Sequence, residues 1–123
     1  MAKRVREGSL LIAVIGEEDL VTGLLLTGIG HLDSTHNTNY FIVDSKTTVD
    51  QVAEAFHKFT TRPDIGILIM TQHIAEMIRE TVEEYSAPLP AILEVPGKEK
   101  EYDSSKDAIL RRAQRLCSVR AER

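Results

Sequence analysis

The residues able to do chemistry gather in a few short stretches. "IGEEDLVTG", Ile15 to Gly23, places Glu17, Glu18 and Asp19 directly after an apolar run, and "MTQHI", Met70 to Ile74, places Thr71, Gln72 and His73 after another. In open α/β sheets ligands bind beyond the carboxyl ends of the strands, so these two turns are where a site belongs. A phosphate cradle needs several glycines and a lysine, so that backbone amides can approach and neutralise the anion. Here one glycine is followed by three carboxylates, which repel phosphate. The carboxylates could hold magnesium beside a phosphate-accepting aspartate at the end of the third apolar run, but that end reads Ile69-Met70-Thr71. What remains is carboxylates in the first turn of a helix, each favoured by the macrodipole by about 0.3–1 kcal/mol.

His31, Asp33 and His36 in "GHLDSTHNTNY" have the right types for a metal. Zinc, however, takes a defined set of four ligands, and a polar loop carrying these residues fixes no such geometry. His57 and His73 fall at helix positions as surface or boundary residues. No serine–histidine–acid order and no nucleophile elbow is present. Cys117, beside Leu116, reads as a small apolar contact rather than a reactive thiol. No catalytic residue, no metal and no cofactor is expected.

Four apolar runs must position these turns: "LLIAVI" (Leu10–Ile15), "YFIV" (Tyr40–Val43), "IGILIM" (Ile65–Met70) and "AILEV" (Ala91–Val95). Near-continuous apolar runs suit strands buried on both faces of a parallel sheet. Helical patterns alternate with them. Leu20, Val21, Leu24 and Leu25 share a face, with Gly28 or Gly30 as the stop. Thr48 and Gln51 have capping-box spacing before Val49, Val52, Ala53, Phe56 and Phe59, and Pro63 ends that segment. "HIAEMIRETVEEY" reads as one helix with Ile74, Met77, Ile78, Val82 and Tyr85 inward. The fold expected is α/β: a doubly wound four-stranded parallel sheet, flavodoxin- or receiver-like, of order 2-1-3-4, with a separate C-terminal helix. Gly23, inside the first helix, costs about 1 kcal/mol relative to alanine. Close packing on its own sheet is the first reason to consider, and contact with a partner the second.

The 123 residues suit a single domain, one that buries roughly two-thirds of its unfolded surface. A single cysteine excludes an internal disulfide and fits a reducing compartment. No apolar run approaches the roughly 20 residues that span a bilayer, and the first is too short for a secretory signal. A soluble, cytoplasmic chain is expected. Residues 1–96 carry 7 Lys/Arg against 14 Asp/Glu, a net −7, and residues 97–123 carry 8 against 5, a net +3. The acidic body disfavours nucleic acid, and the basic end suggests an interaction arm.

That end divides the chain into an α/β domain over 1–96, a charged linker over 97–105 and a helix over 106–120. Prolines at 88, 90 and 96 bracket the fourth strand. Gly97 to Tyr102 then leads away from the sheet, and Ser104 with Asp107 gives an N-terminal cap signature. Ile109, Ala113 and Leu116 form a stripe with Leu110 and Cys117 beside it, flanked by Arg111, Arg112 and Arg115. Two readings stand on periodicity. The helix folds back over the sheet, or it leaves the domain and lays its stripe into a groove with arginines on the rim.

"LIAVIGEEDLVTGLLLTGIG", "IGILIMTQHIAEMI", "PAILEVPGKE" and "YDSSKDAILRRA" together resemble the F subunits of the eukaryotic vacuolar-type proton-translocating ATPases (V-ATPases). The resemblance runs from about residue 11 to 116 in order. It departs in the linker, where the family usually has serine at Gly97 and His-Pro at Lys100-Glu101. It implies a non-catalytic subunit of the central rotor stalk that couples ATP hydrolysis in the catalytic hexamer to proton translocation and supports assembly. It also implies a partner, the coiled-coil D subunit of the rotor, and a place on the cytosolic face of acidic-organelle membranes without insertion. The partner-binding residues would be Ile109, Leu110, Arg111, Arg112, Ala113, Arg115 and Leu116. The alternative of another class is a degenerate receiver-like adaptor that binds a protein partner.

Overall fold

The apolar runs form one parallel sheet of order β2-β1-β3-β4, the order expected for a doubly wound sheet. The computed structural model describes residues 10–29, 38–98, 105 and 107–121. The strands are β1 (Leu11–Gly16), β2 (Tyr40–Ile42), β3 (Ile65–Thr71) and β4 (Ala91–Val95). Val14 lies opposite Tyr40 on one side and Ile69 on the other, and Ile69 lies opposite Leu93. The histidine-bearing loop, His31 to His36, lies outside the described residues, as do linker residues 99–104.

Turn chemistry sets the helix ends. α1 (Glu18–Leu26) closes where Gly28, at φ 93°, donates to the Leu25 carbonyl and Ile29 donates to that of Leu24. A residue in the left-handed region is needed there, and glycine adopts it without cost from a side chain. α2 (Val49–Thr61) begins with the reciprocal box: Thr48 N–H donates to Gln51 Oε1 at 3.0 Å, and Gln51 N–H to Thr48 Oγ1 at 3.2 Å. Val52, Phe56 and Phe59 are buried as expected, and Ala55 joins them. Val49, the first residue of the helix, is instead 49% exposed.

The segment expected to be one helix is two, α3 (Gln72–Met77) and α4 (Arg79–Glu84), broken at Ile78 with φ −121° and ψ 34°. Ile74, Ile78 and Val82 stay buried across the break, so the apolar period survives it. The first helix also differs from expectation. Only Val21 is fully buried, Leu20 and Leu24 are half-buried, and Leu25 is exposed. The last helix, α5, spans Ala108–Ala121.

The two faces of the sheet are covered unequally. Ala13, Ile15, Leu68, Met70 and Ile92 form one cluster with Phe56, Phe59, Ile74, Ile78, Val82 and Ala108. That face carries α2, α3, α4 and the start of α5. Val14 and Val21 are buried outside that cluster, on the face that carries α1.

Candidate interaction surface

The arginine-rich helix is rooted on the sheet by a carboxylate. Glu94 stands inside the apolar run of β4, with a side chain that has no solvent exposure. A buried carboxylate is costly unless charge and hydrogen bonds satisfy it. Arg79, at the first residue of α4, grips it with both terminal nitrogens, at 2.9 and 3.2 Å. Ala108, at the first residue of α5, donates its backbone N–H to the same carboxylate at 2.7 Å. One side chain of the edge strand thereby fixes the starts of two helices.

α5 caps itself as well. Asp107 Oδ1 accepts from Ile109 N–H at 3.0 Å, an N-cap contact of the kind worth about 0.5–2 kcal/mol. Asp107 is buried and performs this function; Ser104, its expected companion, lies outside the described residues. Arg111 forms an ion pair with Glu83 and donates to the Ser105 carbonyl, and Arg112 donates to the Ser86 carbonyl at 3.4 Å. The first two turns of α5 therefore rest on α4 and β4.

The outer side of the helix is open to solvent. Leu110 is 39% exposed and Leu116 is 72% exposed, and Ala113, Arg115 and Cys117 are exposed too. Between α5 and the segment before β4 lies a groove of about 300 Å³, lined by Tyr85, Pro88, Ile92, Ile109, Ala113 and Leu116 among others. It is mostly apolar. Burial pushes the Tyr85 hydroxyl above its ordinary value of 10.0, against the opposing pull of the Arg112 guanidinium.

Of the residues assigned to the arm, Ile109, Arg112, Ala113 and Leu116 line this groove, and Leu110 does not. Arg111 and Arg112 are engaged within the chain, which the flanking-charge pattern alone does not reveal. Nor does that pattern single out Glu94 and Arg79. A signal for Glu94 is nonetheless present: a lone carboxylate in a strand run must find a partner if the run is buried.

The carboxyl edge of the sheet is built differently from the arm. Gly16 and Thr71 meet there, and a Cβ on Gly16 would lie 2.8 Å from Leu20 Cδ2 and 3.3 Å from Thr71 Oγ1. Asp19 pairs with Lys98 at 2.9 Å, with both side chains largely exposed. Residues 97–98 therefore cross over the sheet end rather than leading away from it. Among the described residues no group of three potential metal ligands comes together. Gly23 has nothing within 4 Å of an added Cβ, so packing on its own sheet is not why it is glycine. A second cleft, about 580 Å³ between β2 and α2, is lined by Asp44, Lys46, Glu54 and Lys58 and lies apart from α5.

The comparisons with known proteins agree with this architecture. Residues 12–113 match the family described as "ATP synthase (F/14-kDa) subunit". A probable V-type proton ATPase F subunit of Caenorhabditis elegans is 52% identical over 106 residues, 86% of this chain and 88% of the relative. The V-type proton ATPase F subunit of Arabidopsis thaliana is 50% identical over 111 residues, 90% of this chain and 87% of the relative. Its human counterpart is 48% identical over 103 residues, 84% of this chain and 87% of the relative. The crystal structure of the V-type ATP synthase F subunit from Archaeoglobus fulgidus superposes with a TM-score of 0.50 at 25% identity, covering 71% of this chain and 98% of that one. With the family pattern matched from β1 into the exposed part of α5, this chain belongs to the F (14-kDa) subunit family of the ATP synthases.

Proposed function

We propose that this chain is a central-stalk subunit of a V-type proton-pumping ATPase. The observation that carries the reading is the identity of about one half to relatives named as V-type proton ATPase F subunits, over most of both chains. In this reading the chain is non-catalytic, and ATP hydrolysis belongs to other subunits. It turns with the coiled-coil D subunit, couples hydrolysis in the catalytic hexamer to proton translocation and supports assembly. Its place is the cytosolic face of the membrane. In the described residues no helix is long and apolar enough to cross one.

The α/β domain over 1–96 serves as the seat and α5 as the contact element, with 97–105 between them. Leu110, Ala113, Arg115 and Leu116 meet the coiled coil, and Ile109 forms the floor of the groove beside them. Arg111 and Arg112 then act chiefly by holding the helix in place. The adaptor reading is not favoured by the matches.

The test is affinity recovery from solubilised membranes with a tagged full-length chain and one ending at Arg112, which keeps the rooted turns. The full-length chain is expected to bring down catalytic and coiled-coil subunits with ATPase activity, and the shortened chain to recover markedly less. Recovery of the tagged chain alone, or recovery indifferent to the shortening, would overturn the reading.

A further inference from the structure

An all-parallel sheet is stable when helices cover both faces, and among the described residues one face carries only α1, which packs on β1 and β2. In the doubly wound pattern the last helix returns to lie beside the first. α5 does not, because Glu94, Arg79 and Glu83 hold its root on the opposite face. The consequence appears as an alternation along β3 and β4. Leu68, Met70, Ile92 and Glu94 are buried, whereas Ile67, Ile69, Ala91 and Val95 remain partly exposed and Leu93 is 41% exposed. The register sets these residues in rows, Ile67 beside Ala91, Ile69 beside Leu93 and Thr71 beside Val95. Ile69 is on a central strand, yet it is only half-buried, and no described helix packs over it on this face. Leu20 and Thr71 converge over Gly16 and wall one side of this strip.

We infer that the β3–β4 strip is a docking face for one amphipathic helix of a partner subunit, with Lys or Arg at the end that overlies Glu17 and Glu18. The inference rests on the reading of the chain as an ATPase subunit and adds a second contact to it. A helix about 10 Å across spans two strands about 4.8 Å apart, so one helix fills the strip. The charge selects the occupant. Glu17 and Glu18 follow β1 at the carboxyl end of the sheet, next to β3; the neighbouring Asp19 is paired with Lys98, and among the described residues neither glutamate is in an ion pair. A second copy would bring two acidic edges together on bodies of net −7, so like charges oppose self-association.

The experiment uses Leu93→Cys in the full chain with Cys117→Ser, and a parallel variant carrying His57→Cys on exposed α2 as the opposite-face control. Maleimide labelling is followed in the free chain and in the recovered ATPase, and a benzophenone maleimide at position 93 reports the neighbour. The expected result is labelling of the introduced thiol at position 93 in the free chain, its loss in the complex, and a crosslink to a basic helical segment of another subunit. The control thiol at position 57 should stay reactive in both. Glu17→Lys with Glu18→Lys should lower recovery of the complex. Continued labelling at position 93 in an assembled, active ATPase would overturn this inference and leave the rotor reading intact. So would protection already present in the free chain, a crosslink between two copies, or recovery unaffected by the charge reversal. If the unmodified chain recovers no ATPase subunit, both readings fall together.

Discussion

Glu94 sits on an edge strand yet is sealed from solvent, so its charge is held by what surrounds it. Arg79 supplies the counter-charge, and the start of α5 supplies a backbone donor. Removing one member of a buried pair leaves the other uncompensated, at a cost of about 3–5 kcal/mol. Arg79→Met is expected to lose that much in urea unfolding at neutral pH. Glu94→Gln keeps the shape and one acceptor for Ala108, and should lose less. A change below about 0.5 kcal/mol for both would mean that solvent already satisfies the carboxylate. The sequence makes the carboxylate visible but not its partners, since Arg79 and Ala108 lie 15 and 14 residues away and obey no local period. Asp107 is legible as part of a cap because its contact with Ile109 is local.

At the scale of elements, strand positions follow from the apolar runs, the order 2-1-3-4 is the economical doubly wound solution, and the start of α2 follows from Thr48 and Gln51 alone. The break at Ile78 is not legible. Ile74, Ile78 and Val82 keep a helical spacing through it, so a pattern of burial cannot distinguish one helix from two in succession. Gly23 shows the converse. Its position inside α1 is plain from the sequence, but the cause expected for it, packing within the chain, is absent. Gly23→Ala should therefore stabilise the free chain by about 0.4–1 kcal/mol, through the smaller entropy of the unfolded state. Thermal unfolding checks this, and destabilisation would reveal a conformational demand on Gly23 that its open surroundings do not suggest.

For the molecule as a whole, the decisive feature is which face receives α5. Handedness rules place α1 on one side and α2 with α3 and α4 on the other, but they are silent about a last helix with no strand after it. Here the choice is made by side chains, and it joins the arm to the body thermodynamically. A chain ending at Lys106 removes Ala108 from the core and a donor from Glu94, and should lose about 1–3 kcal/mol. A chain ending at Arg112 keeps both and should unfold in urea at the full-length midpoint. Equal midpoints for the two would show that the root contributes nothing to the body. The root also has a mechanical meaning. The 14 residues of α5 extend about 21 Å from a root held at Ala108, Arg111 and Arg112. A tilt of about 10° at the seat carries the tip by roughly 4 Å. Glu94 is then a fulcrum, and the direction in which the tip points is set by β4 rather than by the linker. A substitution at Ile92, which packs in β4 beneath the root, should re-aim it.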